Sequence, residues 1–162
     1  MPDMATLPQL IEEDVDRLGG ELRELLEKSD ATTALIIDKG GFLIASEGDA
    51  QQFDLMAIAA LAAGAYMATQ SIANLVQETN FNSIYQQGEK LSIFVMCADE
   101  NCLLVVIFKA QVSVGAVKYF AAPAVKHIAA QLQLAQERDP GTGLDLSELN
   151  FADPSVLFKQ KP

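Results

Sequence analysis

The side chains of this 162-residue chain that could perform nucleophilic, acid–base or metal chemistry are few and widely spaced. They include one histidine, His127, and two cysteines, Cys97 and Cys102. Catalysis by such groups needs a nucleophile beside a base, paired carboxylates in a pocket or a cluster of metal ligands. A histidine without such partners nearby is more often structural than catalytic. The sequence therefore predicts no catalytic residue, no cofactor and no metal site, and it favours binding as the function.

The two cysteines lie in strongly apolar segments on either side of residues 99–101, a predicted hairpin turn. Buried, reduced thiols are the ordinary state of such residues. The hairpin could also bring Cys97 and Cys102 near each other across two strands, although disulfides are uncommon in a reducing compartment.

Binding of nucleotide phosphates or nucleic acid is disfavoured by the sequence. The glycines of the segment 38–41, Asp-Lys-Gly-Gly, lead into a strand and lack the spacing of a phosphate-binding loop. Eleven basic residues against 22 acidic ones give a net charge of −11. Such a charge repels phosphate backbones and anionic lipid surfaces, so we expect no nucleic-acid partner.

Short apolar runs separated by turn residues predict the fold. An amphipathic helix is predicted to open at Thr6, with Pro8 in its first turn, and to continue to about Lys28. Two more helices are predicted at 55–77 and 115–138, and strands are predicted at 33–38, 42–46, 82–86, 91–97 and 102–108. Because hairpins link most strands, we expect an α/β fold: an α/β/α sandwich around a five-stranded antiparallel sheet.

Residues 139–143, Asp-Pro-Gly-Thr-Gly, stop any helix and divide the chain into a domain, 1–138, and a C-terminal tail, 139–162. Two interpretations of the tail remain open. It is flexible with a short helix starting at Asp153, or it is a docking segment that orders on a partner. The docking residues would be Phe151, Val156, Leu157 and Phe158.

The predicted helix 55–77 has no charged side chain over its 23 residues. On a helical projection the bulky residues fall on one side: Leu55, Ile58, Leu61, Ile72, Leu75 and Val76. Small, soft or weakly polar residues fall opposite: Met56, Ala60, Ala63, Met67, Gln70, Ser71 and Asn74. We predict that the bulky side packs on the chain's own sheet and that the other side contacts a partner.

Two other environments remain open for this helix. It could lie between elements of its own monomer, or it could span a membrane, for which roughly 20 residues suffice. Its five polar residues between Thr69 and Gln77, and the absence of a flanking Lys/Arg cluster, argue against a membrane span. No positively charged start followed by an apolar run is visible at the N-terminus. We therefore expect a cytoplasmic protein without membrane insertion.

Five short motifs follow one another along the chain. They are a strand–turn–strand at 34–45 with an Asp and a Gly in its turn, then 61–64, 68–70, 87–90, and 103–108 followed by 114–118. In this order and spacing they resemble the roadblock/dynein light-chain family of homodimeric GTPase partners, and most closely its bacterial MglB-like branch. The resemblance covers about residues 18–136 and implies a roadblock, profilin-like fold.

The resemblance also implies a homodimer whose central helices lie side by side and whose third strands join two sheets into one. The implied dimer-interface residues are Tyr66, Asn82, Ser83, Ile84, Tyr85 and Gln86. A small Ras-like GTPase would bind over the paired helices, and its GTP hydrolysis would be accelerated. The implied GTPase-binding residues are Met56, Ala60, Ala63, Met67, Gln70 and Asn74.

The arginines constrain how such a protein could act. Arginine fingers neutralise transition-state charge in phosphoryl transfer, but Arg17, Arg23 and Arg138 all lie outside the uncharged helix. Stimulation from that helix would have to come from positioning the switch loops of the GTPase. Two other functions remain open: a roadblock-type scaffold that tethers proteins without affecting GTP turnover, and a small-molecule sensor domain.

Overall fold

Three helices and five strands form along residues 8–49 and 51–138, the parts of the chain that the computed structural model describes. In chain order they are α1 (Glu12–Ser29), β1 (Thr33–Asp38), β2 (Leu43–Gly48), α2 (Leu55–Leu75), β3 (Ser83–Gln87), β4 (Leu91–Cys97), β5 (Cys102–Lys109) and α3 (Val114–Glu137).

The strands form one antiparallel sheet in the order β2-β1-β5-β4-β3. The predicted five-stranded α/β/α sandwich is confirmed. Strand β5 is buried from Cys102 to Phe108, as its continuous apolar run predicts for a central strand covered on both faces. The predicted strand 42–46 begins one residue later, because Phe42 belongs to the β1–β2 turn.

Alternate residues of the central strands face two separate apolar clusters. Ala34 and Ile36 of β1 face the layer formed by α1 and α3, whereas Leu35 and Ile37 face α2. Strand β5 alternates in the same way, which fixes the register of the sheet between the two helical layers.

The same alternation separates the two cysteines. Cys102 is buried in the cluster of α1 and α3, while Cys97 is half-buried in the cluster of α2, and both are free thiols. Burial raises the pKa of the Cys102 thiol to about 12, with a smaller contribution from the Asp99 carboxylate. A disulfide between two cysteines that face opposite sides of one sheet does not form, so the thiol interpretation is the one that the structure shows.

The predicted start of the first helix is wrong. Residues 8–11 lie outside any helix, and α1 begins at Glu12 rather than near Thr6. A carboxylate provides the cap: Asp14 Oδ2 accepts a hydrogen bond from the Ile11 N–H at 2.9 Å. Acidic side chains in the first turn are favoured by the positive end of the helix dipole.

Asp14 also links the N-terminal end of α1 to the C-terminal end of α3. Its side chain is fully buried and forms a bidentate ion pair with Arg138, whose two terminal guanidinium nitrogens lie 2.7 and 2.8 Å from the carboxylate oxygens. Gln131 donates a further hydrogen bond to Asp14 Oδ1 at 2.8 Å. These donors, Arg138 above all, hold the pKa of the Asp14 carboxyl well below its usual range.

Replacing Asp14 by Asn should lower the free energy of unfolding by about 2–3 kcal/mol at pH 7, because Arg138 loses its buried counter-ion. The exposed Asp16→Asn on the same helix is the control and should change stability little. Because the folded pKa of Asp14 is lowered, its contribution is fully present above the unfolded pKa of about 4 and declines as the pH falls below that value. Urea unfolding of both variants from pH 7 to pH 3 measures this, and a pH-independent difference would contradict it.

Candidate functional site

Helix α2 rests on the sheet through two alanines, Ala59 and Ala63, flanked by the larger Leu55 and Tyr66. The Asp54 carboxylate caps it by accepting a hydrogen bond from the Ala57 N–H at 3.1 Å. Leu55, Ala59, Ala63 and Tyr66 are buried and pack on the cluster of Leu35, Ile37, Leu103 and Val105. Beyond Tyr66, only Ala73 is buried. The second half of α2 therefore makes little apolar contact with the rest of the described chain.

The prediction that the bulky side of α2 packs on the sheet is wrong for most of its residues. Leu61, Ile72, Leu75 and Val76 were expected on the sheet, but they are exposed, Leu75 to 83 %. Branched strand residues fill the sheet face beneath Ala59 and Ala63, so these alanines allow the helix to approach closely and leave no room there for a larger side chain. Of the twelve large apolar side chains exposed in the described residues, six lie on α2 or at its C-cap.

Two residues predicted to meet other molecules also face inward. Ala63 was expected on the partner-facing side, but it is 3 % exposed and packs on the sheet. Tyr66, implied at a dimer interface, is buried in the same cluster, where burial and then the nearby Cys97 raise the pKa of its hydroxyl to about 12. Both residues face inward because the side of α2 that carries Ala59 and Ala63 packs on the sheet.

One outward side of α2 is soft and weakly polar, as predicted. We name it the methionine flank, formed by Met56, Ala60, Met67 and Asn74, all of which are exposed. Gln70 is half-buried at its border, because its side-chain amide donates a hydrogen bond to the Phe81 carbonyl at 2.8 Å. Methionines adapt their shape to whatever packs against them, which suits a protein-binding surface.

The other outward side of α2 borders an open groove, which we name the α2–β4 groove. It has a volume of about 300 Å³ and is lined by Ile58, Leu61, Ala62, Ala65, Ile84, Gln86, Ile93 and Val95. A second cavity of about 270 Å³ continues it through the shared residues Ile58, Gln86 and Ile93. The lining is almost wholly apolar, so the groove lacks the convergent polar groups that a small-molecule sensor site would present.

The two edges of the sheet differ in how they are protected. Edge strand β3 (Ser83–Gln87), predicted as 82–86, carries no charged residue and no proline. Edge strand β2 carries Glu47, which pairs with Arg23 on α1 at 2.5 Å, and it ends at Gly48 with φ +106°. Charges and irregular backbone block strand pairing at an edge, so only β3 is suited to receive another strand.

Helix α2 is the one helix, within the residues described, that is long and apolar enough to cross a membrane. Its inward residues pack on the sheet of the same chain, and an aspartate caps it. In this structure α2 therefore forms one helical layer of the α/β/α sandwich.

The charged groups lie mainly across the sheet from α2. Arg17 and Arg23 lie on α1 and Arg138 follows α3, each paired with a carboxylate. His127 on α3 lies 3.0 Å from a carboxylate oxygen of Glu21 on α1. Across residues 8–49 and 51–138, no group of three or more His, Cys, Asp or Glu side chains is arranged to hold a metal ion.

The β1–β2 turn reaches α2 beside the methionine flank. Gly41 adopts φ +97°, and a Cβ there would lie 3.0 Å from the Ala60 Cα. Next to it, Phe42 exposes 71 % of its surface. The exposure of Phe42 was not expected from the sequence, because residue 42 was predicted to begin a strand; the available signal was a large apolar residue directly after a glycine turn. The predicted docking residues Phe151, Val156, Leu157 and Phe158 lie outside the described residues.

The chain is similar to known proteins of one domain family. The family model for the Roadblock/LC7 domain matches residues 19–108. An MglB with a tetrameric arrangement is 30 % identical, with a TM-score of 0.75, and the match covers 79 % of this chain and 96 % of that one. Gliding protein MglB from Thermus thermophilus is 31 % identical, with a TM-score of 0.73 and coverage of 78 % and 96 %.

Two further solved structures resemble the chain. Myxococcus xanthus MglB is 26 % identical, with a TM-score of 0.74 and coverage of 80 % and 98 %. Profilin IA of Acanthamoeba castellanii is 15 % identical with a TM-score of 0.50, covers 70 % of this chain and 97 % of that one, and shares the fold alone. No curated protein sequence matches the chain.

Replacing Gly41 by Ala should lower the free energy of unfolding by about 1–3 kcal/mol, because the new Cβ meets the α2 backbone and the positive φ is strained. The control is Gly20→Ala in α1, where the nearest atom to a Cβ is the Arg23 guanidinium at 3.9 Å. That change should stabilise the helix by up to about 1 kcal/mol. Urea unfolding measures both, and a Gly41→Ala variant as stable as the wild type would disprove the close approach.

Proposed function

Because this chain belongs to the Roadblock/LC7 family, we propose that it is a homodimer that binds a small Ras-like GTPase of the MglA type and stimulates its GTP hydrolysis. The chain itself supplies no catalytic residue in this proposal. The observation that carries it is the outward surface of α2, which is apolar and uncharged in a chain of net charge −11. Surfaces of this kind mark contacts with other proteins.

The second copy of the chain occupies the α2–β4 groove in this proposal. The groove runs along α2 between Leu61 and Ala65 on one side and the α2-facing side of β3 and β4 on the other. Gly64 faces open space on the same helix, with no atom within 4 Å of a Cβ built there. A helix with small residues on its surface allows close approach of a second helix, and the α2 of another copy fits both features.

The edge strand β3 supports the same arrangement. Its outer N–H and C=O groups have no strand partner within the described residues, and nothing charged on the strand opposes pairing. Two β3 strands related by a two-fold axis would pair antiparallel and extend the sheet across both copies. This pairing would set each α2 beside the groove of the other copy. Of the predicted interface residues, Ser83–Gln86 lie on β3 and Asn82 directly precedes it, with its carbonyl bonded to the Cys97 N–H.

The methionine flank is the GTPase-binding side in this proposal. It lies on the side of α2 next to the β1–β2 turn, away from the groove assigned to the second copy. Met56, Ala60 and Met67 offer apolar contact, and Asn74 offers an amide that can bond a loop backbone. Gln70 is partly engaged with the Phe81 carbonyl, and Ala63 contributes through the packing beneath the flank.

The placement of the arginines supports a positioning mechanism. All three lie on the α1–α3 layer, on the opposite face of the sheet from the methionine flank, and each is paired with a carboxylate of its own chain. Stabilisation of transition-state charge by an arginine from this flank is therefore excluded by geometry. Holding the switch loops of the GTPase in a competent arrangement contributes to the rate by fixing its own catalytic groups in place.

The dimer is tested by Ala65→Glu, which puts a charge into the α2–β4 groove. Burying an unpaired carboxylate against a second copy is unfavourable, so the variant should be monomeric at micromolar concentration. Ala122→Glu, at an exposed alanine of α3, is the matched control and should remain dimeric. Sedimentation equilibrium measures the mass. A dimeric Ala65→Glu variant would place the second copy elsewhere.

The GTPase contact is tested by Met67→Asp, at a side chain that is 50 % exposed. The control is Leu134→Asp on α3, which has a similar exposure of 54 %. In single-turnover hydrolysis with an MglA-type GTPase, Met67→Asp should lose about tenfold or more of the stimulation, and Leu134→Asp should retain it. Equal stimulation by both variants would refute the assignment of the flank. Binding without any stimulation by the wild type would favour a scaffold that only tethers the GTPase.

A further inference from the structure

We propose that the β1–β2 turn is the second half of the GTPase-binding surface, with Phe42 as its apolar anchor and Lys39 as its cation. This proposal rests on the proposed function and adds residues to the methionine flank. The GTPase would contact the turn with an apolar patch on its own surface, and an acidic side chain of the GTPase would border that patch.

The backbone of the turn is fixed before any partner binds. The Asp38 N–H donates to the Phe42 carbonyl at 2.9 Å, and the Phe42 N–H donates to Asp38 Oδ1 at 2.8 Å. The Gly41 N–H closes the turn on the Asp38 carbonyl at 3.0 Å. A rigid turn loses little conformational entropy on binding, which favours affinity.

This rigid turn presents a large aromatic side chain to solvent. Phe42 exposes 71 % of its surface although Leu43 beside it packs against the α2 cluster. Buried aromatic anchors supply much of the binding energy at protein interfaces. An exposed phenylalanine on a hydrogen-bonded turn is therefore suited to insert into an apolar patch on a partner.

The turn and the methionine flank form one continuous surface. The close approach of Gly41 to the Ala60 Cα places Phe42 beside the exposed middle of the flank. The second copy cannot cover this region in the proposed dimer, because it uses β3 and the α2–β4 groove, and β3 lies at the other end of the sheet from the β1–β2 hairpin. The turn therefore remains free for the GTPase.

Lys39 supplies the charge that α2 lacks. Its ammonium lies 5.7 Å from the centre of the Tyr66 ring, at the border between the turn and α2. It is half-buried and forms no ion pair among the described residues. A cation at the rim of an apolar contact favours a partner with an acidic group at that point, and it repels one with a basic group.

The experiment measures the affinity of an MglA-type GTPase, loaded with a fluorescent GTP analogue, for the 162-residue chain and its variants. Phe42→Ala should weaken binding by about tenfold or more. The matched control is Tyr119→Ala, an aromatic on α3 that is 74 % exposed and lies across the sheet, and its affinity should change less than about twofold. Sedimentation and thermal unfolding are measured alongside, and both variants should have the mass and unfolding temperature of the wild type.

Lys39→Gln gives an independent second readout. It should weaken binding several-fold at low salt, and the difference from the wild type should shrink at high salt because exposed charges are screened. A Phe42→Ala variant that binds as the wild type does, while Met67→Asp loses affinity, would overturn this inference and leave the proposed function standing. A wild type that binds no such GTPase would overturn both.

Discussion

The arrangement of this protein depends on how α2 meets its sheet. Residues such as Leu35, Val105 and Ile107 already fill the sheet surface, so at its closest approach the helix has small side chains below it. Ala59 and Ala63 are these small side chains, and Tyr66 packs near Cys97 at the end of the helix–sheet contact. Leu61, Ile72, Leu75 and Val76 then face outward. Exposed apolar surface is thus a direct consequence of the internal packing.

That outward surface has two sides with different neighbours. One side borders the α2–β4 groove and the unprotected edge of β3, which both suit a second copy of the chain. The other side borders the β1–β2 turn, where Gly41 touches the helix backbone. The opposite layer, α1 and α3, carries the arginines and most paired charges. The molecule therefore separates a charged face from an apolar face across one sheet.

The sequence was sufficient for the sandwich and for most element boundaries, because strand alternation and helical spacing are local signals. It also singled out the uncharged helix, whose outward side is apolar and exposed in the structure. It misplaced the inward side of that helix, because size alone favoured leucine over alanine as core, whereas the space above the sheet decided the orientation. The start of α1 was misplaced because the cap is a buried carboxylate whose partner, Arg138, is distant in the chain. The position of Phe42 beside α2 was missed because it depends on the approach of Gly41 to Ala60, a tertiary contact.

The central claim is that the outward surface of α2 is covered by other polypeptides, and hydrogen exchange along α2 tests it most directly. Within the part of the chain that the structure describes, Ala73 is the one buried residue among residues 67–75, so in an isolated monomer the amides of this segment should exchange rapidly. We predict strong protection of these amides in the wild-type protein, loss of protection in Ala65→Glu, and further protection at the methionine flank when a GTP-loaded MglA-type GTPase is added. Equal protection of residues 67–75 in the wild type and in a monomeric Ala65→Glu variant, unchanged by the GTPase, would contradict the account.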